Sequence, residues 1–342
     1  MGAHVSPETA VARTSLQAIP TPDPPAPVAA RLLQLPADIV SYICREHLQP
    51  DSVAALALTC KALYGLLFER AKLALDDHQR QELQLLLEKD MGHSWWYCHT
   101  CSVLHAISAQ GPTGYSSHQP LGEPDRRPHD SQFLCGSGFS IDYQTVRLVM
   151  NRHFYGPPMG LALEDLSLKR VSLGRLRWNE AWSAKILRDE LFISSTRTLS
   201  GMSWNERDLR AALDGECYEL CAHVSTTGPS YSVAAALRRP AFTSMTNRQF
   251  FIPCHDVIAS CDRCLTDYAV TVERRLIEHE GGEDPAAHWF ITIISYHSLG
   301  SCRSPWGLKW KAFARSRAFP TQRRDMMAYP LGAIKAAWES IE

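Results

Sequence analysis

The stretch that decides the fold lies near the N-terminus and, over residues 33–67, reads LQLPADIVSYICREHLQPDSVAALALTCKALYGLL. Leu35-Pro36 places a proline where the first turn of a helix tolerates it, and Ile39 and Ile43 then recur at helical spacing. Asp51 or Ser52 can cap a second helix. The apolar stripes of that helix are Val53, Leu56, Cys60, Leu63 and Leu67, and also Leu58, Ala62 and Leu66.

Two apolar stripes on one helix mean that the helix is buried on more than one side. A segment of about 45 residues cannot supply so much burial alone. The covering surface therefore comes either from the rest of this chain or from a partner protein.

The same stretch carries a specific motif. A Leu-Pro opening at Leu35 is followed by an acidic residue, Asp38, and an isoleucine, Ile39. The second helix contains the run Thr59-Cys60-Lys61-x-Leu63-Tyr64. The pattern resembles an F-box and covers about 40 residues of the 342-residue chain.

Later motifs resemble those of F-box proteins of filamentous fungi over roughly residues 31–310. They are Trp96-Tyr97-Cys98-x-x-Cys101-x-x-Leu104-His105, Met150-Asn151-Arg152-His153 with Gly156, Cys221-x-His223, Cys261-x-x-Cys264-x-Thr266-Asp267 and Gly300-Ser301-Cys302-Arg303. This resemblance implies no particular substrate.

The resemblance implies a role as the recognition subunit of a ubiquitin ligase. The F-box would bind a Skp-type adaptor attached to a cullin scaffold, and the C-terminal region would bind an unknown protein substrate. Such a subunit is not itself an enzyme, because it contributes only proximity between a target and a partner enzyme. The resemblance implies that the residues in contact with the adaptor are Leu35, Pro36, Ile39, Leu56, Leu58 and Leu63.

Composition excludes several other classes of protein. The chain has 35 basic and 36 acidic residues and a formal net charge of −1, so it is not a polycation that binds nucleic acid or membranes. No apolar run approaches the roughly 18 residues of a membrane span, and the N-terminus lacks the apolar core of a signal peptide. We expect an intracellular protein of the cytoplasm, the nucleus or both.

The chain divides into segments of different composition, and the predicted fold class is α+β. A helical F-box is followed by a zinc-stapled mixed domain with antiparallel strands. The segments are a disordered proline-rich tail over 1–28, the F-box over 29–75, a linking helix over 76–94, a zinc-binding substrate-recruitment domain over 95–325 and a C-terminal helix over 326–342.

Several elements of the second domain follow from local patterns. Leu83, Leu86 and Leu87 form one face of the linking helix, and Asp142 caps a helix that turns Val146, Val149 and Met150 inward. Apolar or alternating runs predict strands at Ile186–Ile193, Phe250–Ile252, Tyr268–Val272 and Phe290–Tyr296.

Cysteines with metal-ligand spacing form a first cluster near residue 100. Cys98 and Cys101 are separated by two residues, and His105 would face the same way if Cys101 opened a helix. The fungal resemblance makes Cys135 the fourth ligand. Redox chemistry and plain buried thiols are alternatives, although a thioredoxin-like site needs a preceding strand where a leucine-rich helix is predicted.

A second cluster offers more ligands than one zinc ion needs. Its candidates are Cys221, His223, Cys254, His255, Cys261 and Cys264. Sequence alone does not choose four of these six. One or two structural zinc ions are predicted, since a closed four-ligand site leaves no position for an activated water.

No catalytic motif is found, so no catalytic residue is assigned. The alternative function is a zinc-stabilised nucleic-acid-binding protein that uses residues 303–324. This stretch contains seven basic residues and no acid, with Trp306, Trp310, Phe313 and Phe319 interleaved. Cations that neutralise phosphates beside aromatics that stack on bases are typical of such surfaces. The near-zero overall charge favours instead a solvated surface, and nucleic acid is not the expected partner.

Overall fold

The computed structural model describes residues 34–70, 73–99, 101–107, 132–134, 140–173, 177–200, 206–215, 218–226, 232–233, 237, 250–277, 286–313 and 329–340. The predicted tail over residues 1–28 lies outside these ranges. The chain divides into two compact units, Met1–Asp76 and Asp77–Glu342.

The first unit is helical. Helix α1 spans Ala37–His47 and α2 spans Pro50–Leu58. The short α3, Lys61–Tyr64, continues as a π-helix over Gly65–Arg70. The core of this unit consists of Val40, Cys44, Val53, Ala57, Leu63 and Leu67.

Two predictions for the first unit are wrong in detail. Asp51 and Ser52 do not cap the second helix, because Pro50 occupies its first turn and Gln49 precedes it. Proline is well suited to that position, since its fixed φ is helical and its missing N–H would have no partner there. The second helix also does not continue to Leu67, because Cys60 is extended, with φ −157° and ψ 158°, and breaks it after Leu58.

The second unit begins with helix α4, Asp77–Met91, followed by a hairpin of β1, Trp95–Cys98, and β2, Val103–Ala106. A two-stranded pair of β3, Gln132–Leu134, and β4, Ser140–Asp142, leads into α5, Tyr143–Tyr155.

The capping prediction for α5 is confirmed. The Asp142 carboxylate accepts a hydrogen bond from the Thr145 N–H at 2.7 Å, and Val146, Val149 and Met150 are buried. The predicted inward face of α4 is only partly correct, because Leu83 is buried but Leu86 is exposed.

A six-stranded antiparallel sheet forms the centre of the second unit. Its strands are β5 Leu168–Leu173, β6 Arg177–Leu187, β7 Glu190–Ser200, β11 Cys254–Ser260, β12 Thr266–Ile277 and β13 Ala286–Gly300. They lie in the order β11-β12-β13-β7-β6-β5. A single apolar core joins this sheet to α5 and to α6, Glu206–Gly215.

A smaller sheet contains β8, Glu219–Cys221, β9, Val224–Ser225, and β10, Ser232–Val233. Short helices precede β5 at Leu163–Leu166 and follow β13 as α7, Leu308–Phe313. The fold is therefore α+β with antiparallel strands, as the sequence predicts.

The run Ile186–Ile193 is not one strand. It contains the end of β6, a two-residue turn at Arg188 and Asp189, and the start of β7. Both turn residues are left-handed, with φ 50° and 61°, which is the backbone that the twist of a tight hairpin requires. No glycine marks this turn, although the consecutive charged residues Arg188, Asp189 and Glu190 interrupt the apolar ones there. Residues 250–252 are likewise not a strand, whereas Tyr268–Val272 and Phe290–Tyr296 lie in β12 and β13.

The predicted C-terminal helix is shorter than residues 326–342. Helix α8 spans Ala333–Glu339 and follows Gly332, whose φ of +81° is left-handed. The buried Asp267 carboxylate holds its first turn by accepting the N–H groups of Ile334 at 2.7 Å and Lys335 at 3.0 Å. Within the described ranges, every helix is too short or too polar to cross a membrane.

Candidate metal centres

Two hairpins that are distant in sequence bring together a group of three cysteines and one histidine. Cys221 ends β8 and His223 lies in the turn that follows it, whereas Cys261 and Cys264 lie in the turn between β11 and β12. Their ligand atoms all lie within 4.8 Å of one another. We call this set the Cys3His group; it can hold a metal ion.

Each sulfur of the Cys3His group is in hydrogen-bond contact with the residue two positions later. The His223 N–H donates to the Cys221 sulfur at 3.4 Å, and the Arg263 N–H donates to the Cys261 sulfur at 3.4 Å. The Cys264 sulfur lies 3.2 Å from the Thr266 hydroxyl. Donors directed at sulfur stabilise the thiolate, which is the form that binds metal.

Burial and hydrogen bonds shift the pKa values of the three cysteines in the Cys3His group. Burial raises the pKa values of the Cys221 and Cys264 thiols, whereas hydrogen bonds from these two thiols lower the pKa of Cys261. The Nδ1 atom of His223 is buried and makes no hydrogen bond to the described residues. Three buried sulfurs and a buried imidazole nitrogen form a coherent donor set for a metal ion, whose binding releases the thiol protons.

A second group lies on the β1–β2 hairpin. The ligand atoms of Cys98, Cys101 and His105 also lie within 4.8 Å of one another, and we call these residues the Cys2His group. The Cys101 N–H donates to the Cys98 sulfur at 3.4 Å. The His105 ring stacks on Trp96, its partner across the hairpin, with ring centroids 5.6 Å apart.

The predicted grouping of Cys98, Cys101 and His105 is confirmed, although Cys101 does not open a helix. Cys101 begins a turn into β2, and His105 reaches the cysteines because cross-strand neighbours share one face of a hairpin. The predicted fourth ligand, Cys135, lies outside the described residues.

Cys254 and His255 do not belong to the Cys3His group, although the sequence offered both as ligands. The strand β11 separates Cys254 from Cys261, and seven extended residues span about 20 Å. The Cys254 thiol donates instead to the Val270 carbonyl at 3.7 Å, and His255 is exposed.

Sequence reasoning missed a buried polar network beside the Cys2His group. The Glu88 carboxylate accepts hydrogen bonds from the Tyr97 N–H at 3.0 Å, the Arg147 Nε at 2.9 Å and the Asn151 Nδ2 at 3.0 Å. Arg147 also donates to the Arg303 carbonyl at 2.5 Å. Burial opposes ionisation of Glu88, but the Arg147 hydrogen bond and charge outweigh it, so the pKa of Glu88 lies below its usual value.

Two of the later sequence motifs meet in this network. The Arg303 guanidinium donates to the Asn151 side-chain oxygen at 3.1 Å, which joins the Met150–His153 and Gly300–Arg303 motifs. The only sequence signal for Glu88 was one acid within a leucine-rich helix. The network fixes α4, β1 and α5 around the Cys2His group.

The basic stretch does not present the described aromatic residues to solvent as a stacking surface requires. Trp310 and Phe313 are buried in the core, and only Trp306 is exposed. Lys309 binds the Glu190 carboxylate with both N–O distances at 2.6 Å, and Arg303 is held by the buried network. The Lys311 ammonium lies over the Trp306 ring, 5.9 Å from its centroid. The other four basic residues, Arg315, Arg317, Arg323 and Arg324, lie outside the described ranges, as does Phe319.

Comparison of the chain with protein-family models, with curated proteins and with solved structures returned no match.

Proposed function

We propose that this chain is an F-box adaptor, the substrate-recognition subunit of a Skp–cullin–F-box ubiquitin ligase. The proposal rests on the F-box motif and on one structural observation: the small helical unit leaves large apolar side chains exposed. Leu35 is 41% exposed, Ile39 46% and Leu58 47%. A helical unit with a core of six residues has little reason to expose such side chains unless a partner covers them.

The proposed contact surface differs from the residue set that the motif alone implies. Leu63 is only 4% exposed and belongs to the core, and Leu56 is half-buried against that core. Tyr42 and Tyr64 are exposed and join Leu35, Pro36, Ile39 and Leu58 as contact candidates. Leu58 and Tyr64 also line an open surface cavity of about 480 Å³.

The second unit would recruit a protein substrate, and zinc would support its fold. Three sulfurs and one imidazole nitrogen are a tetrahedral zinc donor set, and four protein ligands would leave no open position. The Cys2His group would take Cys135 as its fourth ligand. The chain itself would do no chemistry, and it would raise the effective concentration of a target lysine near a partner enzyme.

Co-expression with a Skp-type adaptor tests this proposal. The wild-type chain should capture the adaptor in a one-to-one complex. A Leu35→Ala, Ile39→Ala variant should bind at least tenfold more weakly, because each truncation removes an exposed apolar contact worth roughly 1 kcal/mol or more.

The matched control is Leu276→Ala with Trp306→Ala, which removes two side chains of the second unit that are 70% and 62% exposed. This variant should bind the adaptor as the wild type does. A folded wild type that captures no adaptor, or equal losses in both variants, would overturn the proposed interface.

The nucleic-acid alternative has no comparable support. Two of its aromatic residues lie in the core and two of its basic residues are held in internal hydrogen bonds or ion pairs.

A further inference from the structure

The Thr266 hydroxyl lies between the Cys3His group and a buried histidine. Its oxygen is 3.2 Å from the Cys264 sulfur and 3.0 Å from Nδ1 of His297. Cys264, Thr266 and His297 are 2%, 1% and 0% exposed. Because so little water reaches this place, the protein itself must satisfy the hydroxyl and the ring nitrogen.

The backbone fixes this arrangement. Thr266 and His297 are directly opposite each other where β12 and β13 pair, so their side chains share one face of the sheet. The edge of the Phe313 ring packs against the imidazole, with ring centroids 5.7 Å apart. Neither side chain can therefore turn away without disturbing the core.

Cys264 also differs from the other two cysteines of the group. Cys221 and Cys261 each accept a backbone N–H from the residue two positions later. The corresponding N–H, that of Thr266, donates instead to the Cys264 carbonyl at 2.8 Å. The hydroxyl of Thr266 is thus the group that can donate to this third sulfur.

We propose that Thr266 and His297 form an outer pair that positions Cys264 as a metal ligand and strengthens metal binding. This inference rests on the metal site of the proposed function. Residues that hydrogen-bond to ligands orient them and tune their basicity, and their loss costs about 10- to 100-fold in metal affinity.

The proposal sets the direction of both hydrogen bonds. A metal-bound thiolate carries no proton, so the Thr266 hydroxyl must donate to the sulfur. Its oxygen then accepts a hydrogen bond from His297, which must carry its proton on Nδ1. In the metal-free chain the Cys264 thiol donates within the Cys3His group, so the Thr266 hydroxyl can donate to Nδ1 of His297, and the ring proton then sits on Nε2.

Metal binding would accordingly change the tautomer of His297. The Cys264 proton leaves to solvent, the hydroxyl turns from nitrogen to sulfur, and the ring exchanges an Nε2 proton for an Nδ1 proton. Burial, together with the Arg197 charge, lowers the pKa of His297 to about 3, so the ring of the metal-free chain is neutral near neutral pH.

Zinc titration of the full chain in competition with a chromogenic chelator tests the pair. Thr266→Val should weaken the binding of one zinc ion by about 10- to 100-fold, and Thr266→Ser should restore most of it because the hydroxyl returns. Thr271→Val is the matched control on the same strand. Its hydroxyl accepts the Asp256 N–H at 3.0 Å and touches no sulfur of the group, so zinc affinity should not change.

Nitrogen-15 spectra of labelled histidine give a second readout. A purely structural role of Thr266 and His297 in the core would leave this readout unchanged. Zinc-loaded wild type should show His297 protonated on Nδ1, and the metal-free chain should show it protonated on Nε2. An unchanged affinity in the Val variant, or an unchanged tautomer, would overturn the outer pair while leaving the metal site intact. A folded wild type that binds no zinc would overturn the site and the pair together.

Discussion

Replacing Glu88 by Gln isolates the energetic role of the buried network in the second unit. The side chains of Glu88 and Arg147 are each 1% exposed, so the substitution leaves an arginine charge without its buried partner. The NH2 group of the Gln side chain would also place hydrogen-bond donors against the N–H donors of the Arg147 guanidinium. Removing one member of a buried ion pair costs about 3–5 kcal/mol.

Thermal unfolding measures this cost directly. In a unit of this size each kcal/mol lowers the Tm by about 2–4 °C, so Glu88→Gln should lower the Tm of the second unit by about 6–20 °C. Asp77→Asn is the matched control on the same helix, because Asp77 pairs with Arg80 across an exposed surface and its loss should change little.

The dependence of stability on pH should also differ between the Glu88→Gln variant and the wild type. The pKa of Glu88 is lower in the folded unit than its unfolded value of about 4.3. The stabilisation that the Glu88 carboxylate gives the folded unit is therefore fully present above the unfolded pKa and is lost as the pH falls through the folded pKa. The Gln variant should lose less stability on acidification than the wild type. Equal Tm values for the Glu88 and Asp77 variants would refute the assigned role of the network.

Two further substitutions test other parts of the second unit. Cys264→Ser should reduce bound zinc by one ion per chain and lower the Tm, whereas Cys254→Ser should leave zinc content unchanged; equal losses in elemental analysis would contradict the assigned ligands. Asp267→Ala should destabilise the unit by roughly 1–3 kcal/mol, because two N–H groups of α8 lose a buried acceptor. Asp256→Asn, which removes the charge of a partly exposed ion pair with Lys335 and tolerates the left-handed backbone of this position (φ 47°), should cost less in urea unfolding, and the reverse order would contradict this prediction.

The sequence placed every member of both groups among its candidate ligands, because paired cysteines need only a tight turn to converge. It did not choose Cys221, His223, Cys261 and Cys264 from the six candidates of the second cluster. Excluding Cys254 required the strand register, which fixes how far along the sheet each residue lies. His105 lies beside Cys98 and Cys101 through a hairpin rather than a helix, because both geometries can return a side chain to the same place.

The polar contacts could not be predicted in the same way. Glu88 and Arg147 are 59 positions apart, and no local periodicity connects them. The turn at Arg188 and Asp189 was missed because both residues adopt left-handed backbone without the glycine or asparagine that usually signals it. Leu63 was misassigned because an apolar stripe does not distinguish a partner-facing side chain from a core-facing one.

The Cys3His group has a consequence for the order of folding. Cys221 and Cys264 are 43 positions apart, so bringing them together closes a loop whose length-dependent entropy cost is about 3 kcal/mol. A peptide containing either hairpin alone holds only two of the four ligands and should retain metal poorly. Metal uptake would then be a late event during synthesis, and its rate would report how quickly the surrounding sheet assembles.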